Sequence, residues 1–291
     1  MDGTVKRAPV KTPGGAYEVV VGAGTLPLIE EKRGLLERDV FALVVNETVL
    51  GLHGEYIRRC MGSYRNFDTY VMPDGEEQKS YRHAERAFDW LLGRGVSRRS
   101  TIVGIGGGVT GDFAGYLAAL YMRGISVIHV PTTLLAMVDS SVGGKVAVNL
   151  SAGKNIVGAF HQPEIVIADV EFLRTLPDNE MRNGLAEAVK HAFIGEERLF
   201  ALFEENDFES IRKPEKLAEI VYLSARFKSS IVERDEREGG VRAILNFGHT
   251  VGHAIESLLE YRGISHGEAL EPRILDQSPC IIAGRAFEET T

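Results

Sequence analysis

The feature that most limits what this chain can fold into is a glycine run, Gly106-Gly107-Gly108-Val109-Thr110-Gly111, set between a strand-like and a helix-like segment. Ser100 to Ile105 is a short β-rich run, and Val109 to Met122 reads as a buried helix. Glycines at such a turn let backbone N–H groups approach a phosphate at a helix N-terminus. The flanking sequence repeats the pattern. Ala16 to Val21, Val40 to Val45, Asn66 to Met72 and Ile125 to Val130 have strand character. Asn46-Glu47-Thr48 reads as a turn and helix start, and Ser80 to Leu92 has apolar residues at helical spacing, with Ser80 as the expected N-cap. This alternation predicts an α/β layer with a largely parallel sheet.

The period changes near Thr175-Leu176-Pro177-Asp178. Beyond it the spacing predicts helices over Glu180 to Phe193 (with Asp178 as N-cap), Leu199 to Phe203, Pro214 to Val232 and Gly248 to Leu259. The expected organisation is an α/β nucleotide-binding domain over 1–177, an all-α metal-binding domain over 178–269 and an irregular tail over 270–291. Pro272, Pro279 and Gly284 interrupt any period in that tail.

Composition narrows the function classes. The 291 residues are 44% hydrophobic and 25% charged, enough apolar content to build a core, which excludes low-complexity disorder. A net charge of -8 argues against broad nucleic-acid binding, which needs a basic surface, while leaving room for a local anion pocket. Cys60 and Cys280 are too few for a disulfide framework and point to a reducing compartment. Met1 to Arg7 lacks the apolar run of a signal peptide, and the weakly charged stretch from Ile125 to Gly144 contains His129 and Asp139, unlike a membrane span. A soluble cytoplasmic protein with no nucleic-acid or membrane partner is expected.

Several motifs carry chemistry. The glycine run is a nucleotide-binding turn or simply a tight strand-to-helix turn. The acidic residue of a Rossmann site is missing, because the next strand ends His129-Val130-Pro131-Thr132-Thr133, and no Gly-Lys-Ser/Thr follows to make a Walker A loop. Lys145 and Lys154-Asn155 lie in predicted glycine-rich loops, which suits phosphate or carboxylate capture as well as plain solvation. Glu187 and Lys190 share a helix face among Leu185, Ala186, Ala188 and Val189, so they form a surface pair or a buried pair with a purpose. Arg242, Asn246, His249 and His253 follow at spacings of four, three and four, with His266-Gly267-Glu268 after a short turn. Two His and one Glu with an open fourth position is a common catalytic zinc arrangement, although spacing alone leaves the metal site open. No H-E-x-x-H occurs.

Taken together, these strings resemble the 3-dehydroquinate synthase family of sugar-phosphate cyclases. The matching runs are Gly106 to Asp112, Pro131 to Ala136, Asp139-Ser140-Ser141-Val142-Gly143-Gly144-Lys145, Gly153-Lys154-Asn155 and Gly158-Ala159-Phe160. They continue through Arg174-Thr175-Leu176-Pro177, Gly184-Leu185-Ala186-Glu187, Asn246-Phe247-Gly248-His249-Thr250 and His266-Gly267-Glu268, so the likeness covers Tyr17 to Ala269. It implies zinc, or cobalt, held by Glu187, His249 and His266. It implies NAD contacted by Asn46, Asp74, Glu76, Lys79, Gly107, Gly108, Val109 and Asp112, with Thr132, Thr133, Lys145, Lys154, Phe172 and Thr175 completing the site. The substrate, a small anionic sugar phosphate, would meet Arg123, Asp139, Lys145, Lys154, Asn155, Lys190, Arg242, Asn246 and His253.

The implied reaction turns 3-deoxy-D-arabino-heptulosonate 7-phosphate into 3-dehydroquinate and phosphate, a shikimate-pathway lyase step in aromatic amino acid biosynthesis. The implied assembly is a homodimer. Several features depart from the family pattern. Val146-Ala147-Val148-Asn149 stands where Thr-Gly-Val-Asn is usual, and His161 where Tyr is frequent. After Ala269 the chain reads Leu270-Glu271-Pro272 in place of a long small-residue helix, and a late substrate-binding lysine has no counterpart. The expectation here is a shortened helical domain, arising from a frame shift after Ala269. Three alternatives stand beside the synthase: another sugar-phosphate cyclase whose substrate lacks the carboxylate, a metal-dependent polyol dehydrogenase of related fold, and a chain that binds NAD or zinc without turnover.

Overall fold

Parallel strands covered on both faces need unbroken apolar runs, and Phe41 to Val45 is one, with every residue buried. The computed structural model describes residues 5–247. The expected Gly248 to Leu259 helix, the histidines His249, His253 and His266, and the 270–291 tail lie outside the described residues. The strands are β1 (Lys6–Thr12), β2 (Gly15–Gly22), β3 (Phe41–Asn46), β4 (Phe67–Met72), β5 (Thr101–Gly106), β6 (Ser126–Pro131), β7 (Lys145–Leu150), β8 (Gly153–Phe160) and β9 (Ile165–Asp169). The helices are α1 (Arg33–Leu36), α2 (Glu47–Met61), α3 (Tyr81–Gly93), α4 (Gly108–Leu120), α5 (Asp178–Ile194), α6 (Glu197–Glu205), α7 (Phe208–Ile211) and α8 (Pro214–Arg234).

Seven strands form one sheet in the order β1-β2-β9-β6-β5-β3-β4, antiparallel only between β1 and β2. Strand β3 sends its alternate residues to two cores. Phe41, Leu43 and Val45 join a cluster with Ile57 and Met61 of α2 and with residues of α5, α6 and α8. Ala42 and Val44 join a second cluster with Ala84, Ala87 and Leu91 of α3 and Phe113 to Ala118 of α4. The first core crosses Pro177 without a break, because α8 lies over β1 and β2. Chain order reverses at β3: α2 leads outward to β4, whereas β5 lies on the other side of β3 and leads through α4 to β6. That reversal opens a crevice at the carboxyl ends of β3 and β5, the usual ligand position in such sheets.

Local expectations meet two kinds of correction. Asn46 and Ser80 do cap α2 and α3, accepting from Val49 N at 3.1 Å and His83 N at 3.3 Å. Asp178 does not cap α5: Pro177 holds the cap position, and the Asp178 carboxylate pairs with Arg212 on the surface instead. Lys145 and Lys154 are not on loops but on the antiparallel ribbon of β7 and β8. Strands β1 and β9 escape the pattern reading. In β1 the buried Ala8 and Val10 alternate with Lys, Arg and Pro, a pattern suited to a sheet edge. No helix among the described residues is long and apolar enough to cross a membrane.

Two close approaches fix the layers. A Cβ at Gly184 of α5 would sit 2.5 Å from Leu134 Cβ and 2.6 Å from the backbone N of Leu135. Gly184→Ala is therefore expected to lower stability by about 1–3 kcal/mol, despite the ~1 kcal/mol alanine offers a helix. A urea midpoint at or above the parent's would show that α5 is not held this tightly. On β6, His129 is 6% exposed beneath Gly104 and Gly115, and its Nδ1 has no hydrogen-bond partner among the described residues. Burial, with His161 nearby, brings its pKa from 6.5 down to about 4. The unfolded chain takes up this proton near pH 6.5 and the folded chain only near 4, so His129 leaves stability intact above 6.5 and lowers it as pH falls through that window. The loss expected by pH 4 is about 3 kcal/mol. In urea titrations across that range His129→Gln should flatten the slope, and an unchanged slope would contradict this origin.

Candidate active site

The crevice is a cavity of about 870 Å³ walled by the carboxyl ends of β3, β5 and β6, the ribbon and the start of α5. The glycine turn forms its floor. Gly107 caps α4 with no side-chain hydrogen bond, so the first-turn N–H groups of a 13-residue helix open toward the space. A Cβ at Gly107 would come within 3.0 Å of Thr133, and one at Gly108 within 3.1 Å of Ser140 Oγ. A side chain at either position would crowd these neighbours, and without one a ligand can come close to the backbone. Thr132 Oγ1 is buried here with no hydrogen-bond partner among the described residues.

One side of the cavity is a polar lattice. Lys79 is 5% exposed, and its Nζ donates to Asp112 at 2.9 Å and to Asn155 Oδ1 at 2.8 Å. Burial disfavours its charge, but Asp112 and Glu76 outweigh that and raise its pKa. Asn149 donates to Glu76 Oε1 and accepts from Asn155 N, both at 2.8 Å. These bonds hold Asn155 in a left-handed conformation at φ 55°. Asp74 accepts from Asn46 Nδ2 at 2.5 Å and from Thr48, closing the rim. Across the cavity Phe172 is buried against His53, whose Nε2 lies 2.7 Å from Thr175 Oγ1.

The far wall is ionic. Asp139 sits on a single π-helical turn, Ala136–Ser140, and accepts from Lys228 of α8 at 2.5 Å. Lys228 also donates to the Asp139 carbonyl at 2.7 Å. Burial opposes the Asp139 charge, yet Lys228 and Lys190 overcome it and hold the carboxyl below its ordinary range. On α5, Lys190 donates to Glu187 and, at 2.7 Å, to the Leu245 carbonyl. Burial and the Asp139 charge push Glu187 up. Glu187 Oε2 is buried with no hydrogen-bond partner among the described residues, which suits it to a divalent ion.

A second cavity of about 550 Å³ shares Asp112, Asp139, Ser140 and Asn155 with the first and adds Lys145, Lys228 and Arg242. Arg242 is 1% exposed and donates to the Gly143 carbonyl at 3.3 Å and the Glu236 carbonyl at 2.5 Å.

The structure thus gathers most of the residues singled out from sequence, with exceptions. Asn46, Asp74, Glu76, Lys79, Gly107, Gly108, Val109, Asp112, Thr132, Thr133, Lys154, Phe172 and Thr175 line the large cavity, together with Asp139, Asn155 and Glu187. Lys145 does not reach it; at the start of β7 it faces the second cavity and pairs with Glu238. Asn246 is exposed on the 3-10 turn Val241–Asn246, not on a helix, and donates to the same Glu238 at 3.0 Å. Lys190 stands behind Glu187 and lines neither cavity. Arg123 is not brought to either cavity within one chain. It is exposed in the turn entering β6, at the amino ends of the strands, because α4 carries the chain back across the sheet. His249, His253 and His266 lie outside the described residues.

Sequence reasoning missed Lys228, His191, Asn149 and His53. Lys228 had a signal: it falls on the apolar face of α8, in register with Leu217, Val221 and Ala225. His191 falls one helical turn after Glu187.

A glycine turn on an open helix N-terminus, facing a buried carboxylate and a bank of ammonium groups, defines a nucleotide-binding α/β enzyme with an acidic and cationic second wall. Residues 69–183 match the 3-dehydroquinate synthase N-terminal family and residues 184–274 the C-terminal one. A 3-dehydroquinate synthase of Pelotomaculum thermopropionicum is 49% identical over 261 residues, 88% of this chain and 70% of that protein. The chain belongs to the 3-dehydroquinate synthase family. Among solved structures, 2-deoxy-scyllo-inosose synthase complexed with carbaglucose-6-phosphate, NAD+ and Co2+ superposes with a TM-score of 0.81 at 31% identity, covering 92% of this chain and 72% of that one. The 2-epi-5-epi-valiolone synthase of Streptomyces hygroscopicus subsp. jinggangensis, with NAD+ and Zn2+ bound, gives 0.78 at 26% identity, covering 89% and 73%.

Proposed function

We propose that the chain converts 3-deoxy-D-arabino-heptulosonate 7-phosphate into 3-dehydroquinate and phosphate, acting as a carbon-oxygen lyase with NAD and zinc. The observation that carries this reading is one continuous site: the open N-terminus of α4 on one side, Glu187, Asp139 and Lys154 on the other. The donors fit both groups. NAD would lie along the glycine turn, with its phosphates at α4 and further contacts from Asn46, Lys79, Thr132 and Thr175. Zinc would take the free oxygen of Glu187, with His249 and His266 as the remaining ligands the resemblance implies. When bound, NAD supplies a hydride acceptor that is regenerated within the cycle, and the metal polarises the hydroxyl that is oxidised.

The chain's own residues bind and neutralise. The substrate carries a carboxylate and a phosphate, and Lys145, Lys154, Lys228 and Arg242 line the two connected cavities that would receive them. Asp139 fixes Lys228 by two bonds, so that ammonium is aimed before substrate arrives. Once oxidation has acidified the adjacent C–H bond, these cations stabilise the charge that moves onto the departing phosphate. Asn155, held by Lys79 and Asn149, offers a fixed polar group at the junction of the cavities. Enclosure between the ribbon and α5 keeps the reactive ketone from water. A cytoplasmic homodimer is part of the same reading.

The test is phosphate release by the purified protein with NAD and Zn2+, monitored together with absorbance at the NADH wavelength. Phosphate release without net NADH is expected, and a heptulose phosphate lacking the carboxylate should turn over far more slowly. Steady NADH production would favour a dehydrogenase, and absence of phosphate release would sink the proposal. Lys154→Met should lower kcat/KM about 100-fold with little change in melting temperature, since Lys154 is an exposed side chain at the cavity wall. An unchanged kcat/KM would remove Lys154 from the site.

A further inference from the structure

His191 is 0% exposed, and neither ring nitrogen has a hydrogen-bond partner among the described residues. It follows Glu187 by one turn of α5, so the two side chains share a face, and the Phe227 ring lies against it at 5.5 Å between centroids. One ligand-capable atom each of Asp139, Glu187 and His191 falls within 4.8 Å of the others. Glu187 Oε2 is likewise buried with no hydrogen-bond partner among the described residues.

A buried polar atom left unpaired forfeits its hydration without a hydrogen bond in return and so destabilises the fold. An apolar side chain at 191 would avoid that cost, so the imidazole calls for a reason outside the stability of the fold. The neighbouring lysines do not relieve it. Lys190 already serves Glu187 Oε1 and the Leu245 carbonyl, and Lys228 serves Asp139. What Glu187 Oε2 lacks is a donor, and a neutral imidazole carries one N–H.

We propose that His191 is a positioning residue for the metal centre: its ring N–H, within 4.8 Å of the Glu187 carboxylate but not hydrogen-bonded to it in this structure, closes on that carboxylate when the ion binds and holds it in the binding orientation. The inference rests on the reading of Glu187 as a metal ligand. Hydrogen bonds from outer groups to metal ligands are worth about 10–100-fold in metal affinity. Their usual form is a carboxylate supporting a histidine ligand, and here a histidine supports a carboxylate.

The experiment uses the full-length protein stripped with a chelator. Zn2+ affinity is measured by competition with a chromophoric chelator, and melting temperature is recorded without metal. The variants are Glu187→Gln, His191→Leu and His191→Gln. His191→Leu should bind Zn2+ about 10–100-fold more weakly, while its metal-free melting temperature equals or exceeds that of the parent. His191→Gln retains an amide donor and should stay within about threefold of the parent. In the Co2+-loaded protein, the visible d–d bands of His191→Leu should shift, whereas those of His191→Gln should not.

If Glu187→Gln weakens binding and His191→Leu does not, the inference fails alone. A fall in metal-free melting temperature for both His191 variants, with Zn2+ affinity not recovered in His191→Gln, indicates a merely structural role and also overturns it. Loss of Zn2+ in His191→Leu as deep as in Glu187→Gln makes His191 a ligand, contrary to the proposal. Unchanged affinity in Glu187→Gln removes the metal reading itself.

Discussion

Four charges gathered in the interior constrain everything around them. Asp139 with Lys228, and Glu187 with Lys190, join the π-helical turn Ala136–Ser140, α8 and α5 at one point. Moving an ion out of water costs several kcal/mol, and leaving one partner of a buried pair alone costs about 3–5 kcal/mol. Two such pairs would be a poor way to stabilise a domain. They make sense as a preset electrostatic site, in which Lys228 is already aimed at the second cavity and Lys190 backs Glu187 before an anionic substrate arrives. The rest of the fold supplies the rigidity. Gly184 lets α5 come down onto Leu134 and Leu135, and α8 is seated on the sheet through Leu217, Val221 and Ala225.

The opposite half of the site rests on absence of side chains. Gly107 and Gly108 approach Thr133 and Ser140 so closely that a methyl group would crowd the turn, and the unprotected start of α4 supplies the donors. A neutral, glycine-lined cradle and a charged wall thus face one another across the crevice created by the reversal of chain order at β3. The ribbon of β7 and β8 joins them, since it carries Lys154 along one edge of the space and ties Asn149 and Asn155 to Lys79. A dinucleotide suits the first surface and an anionic sugar the second.

Much of this was legible in the residues. The apolar run of β3, the Asn46 and Ser80 caps and the strand–glycine–helix junction are local patterns, set by side-chain volume and backbone freedom over a few positions, and they gave the α/β layer. The Glu187–Lys190 pair was visible because helical spacing alone brings such residues together. Lys228 was harder to read, although a lysine on the apolar face of α8 is anomalous; its partner Asp139 lies 89 positions earlier. Arg123 shows the same limit in reverse, since nothing in its neighbours says that α4 returns it to the far end of the sheet.

What the sequence determined by itself was the set of elements, the glycine turn and the kinds of group available for catalysis. Tertiary structure decided which of them meet. Strand order put β3 beside β5, the pairing of β7 with β8 turned apparent loops into a ribbon, and the seating of α8 on β1 and β2 delivered Lys228 to Asp139 and left His191 enclosed next to Glu187. Local propensity acts over a few residues along the chain. Burial and charge pairing act over a few ångströms in space, and only the folded arrangement converts one into the other.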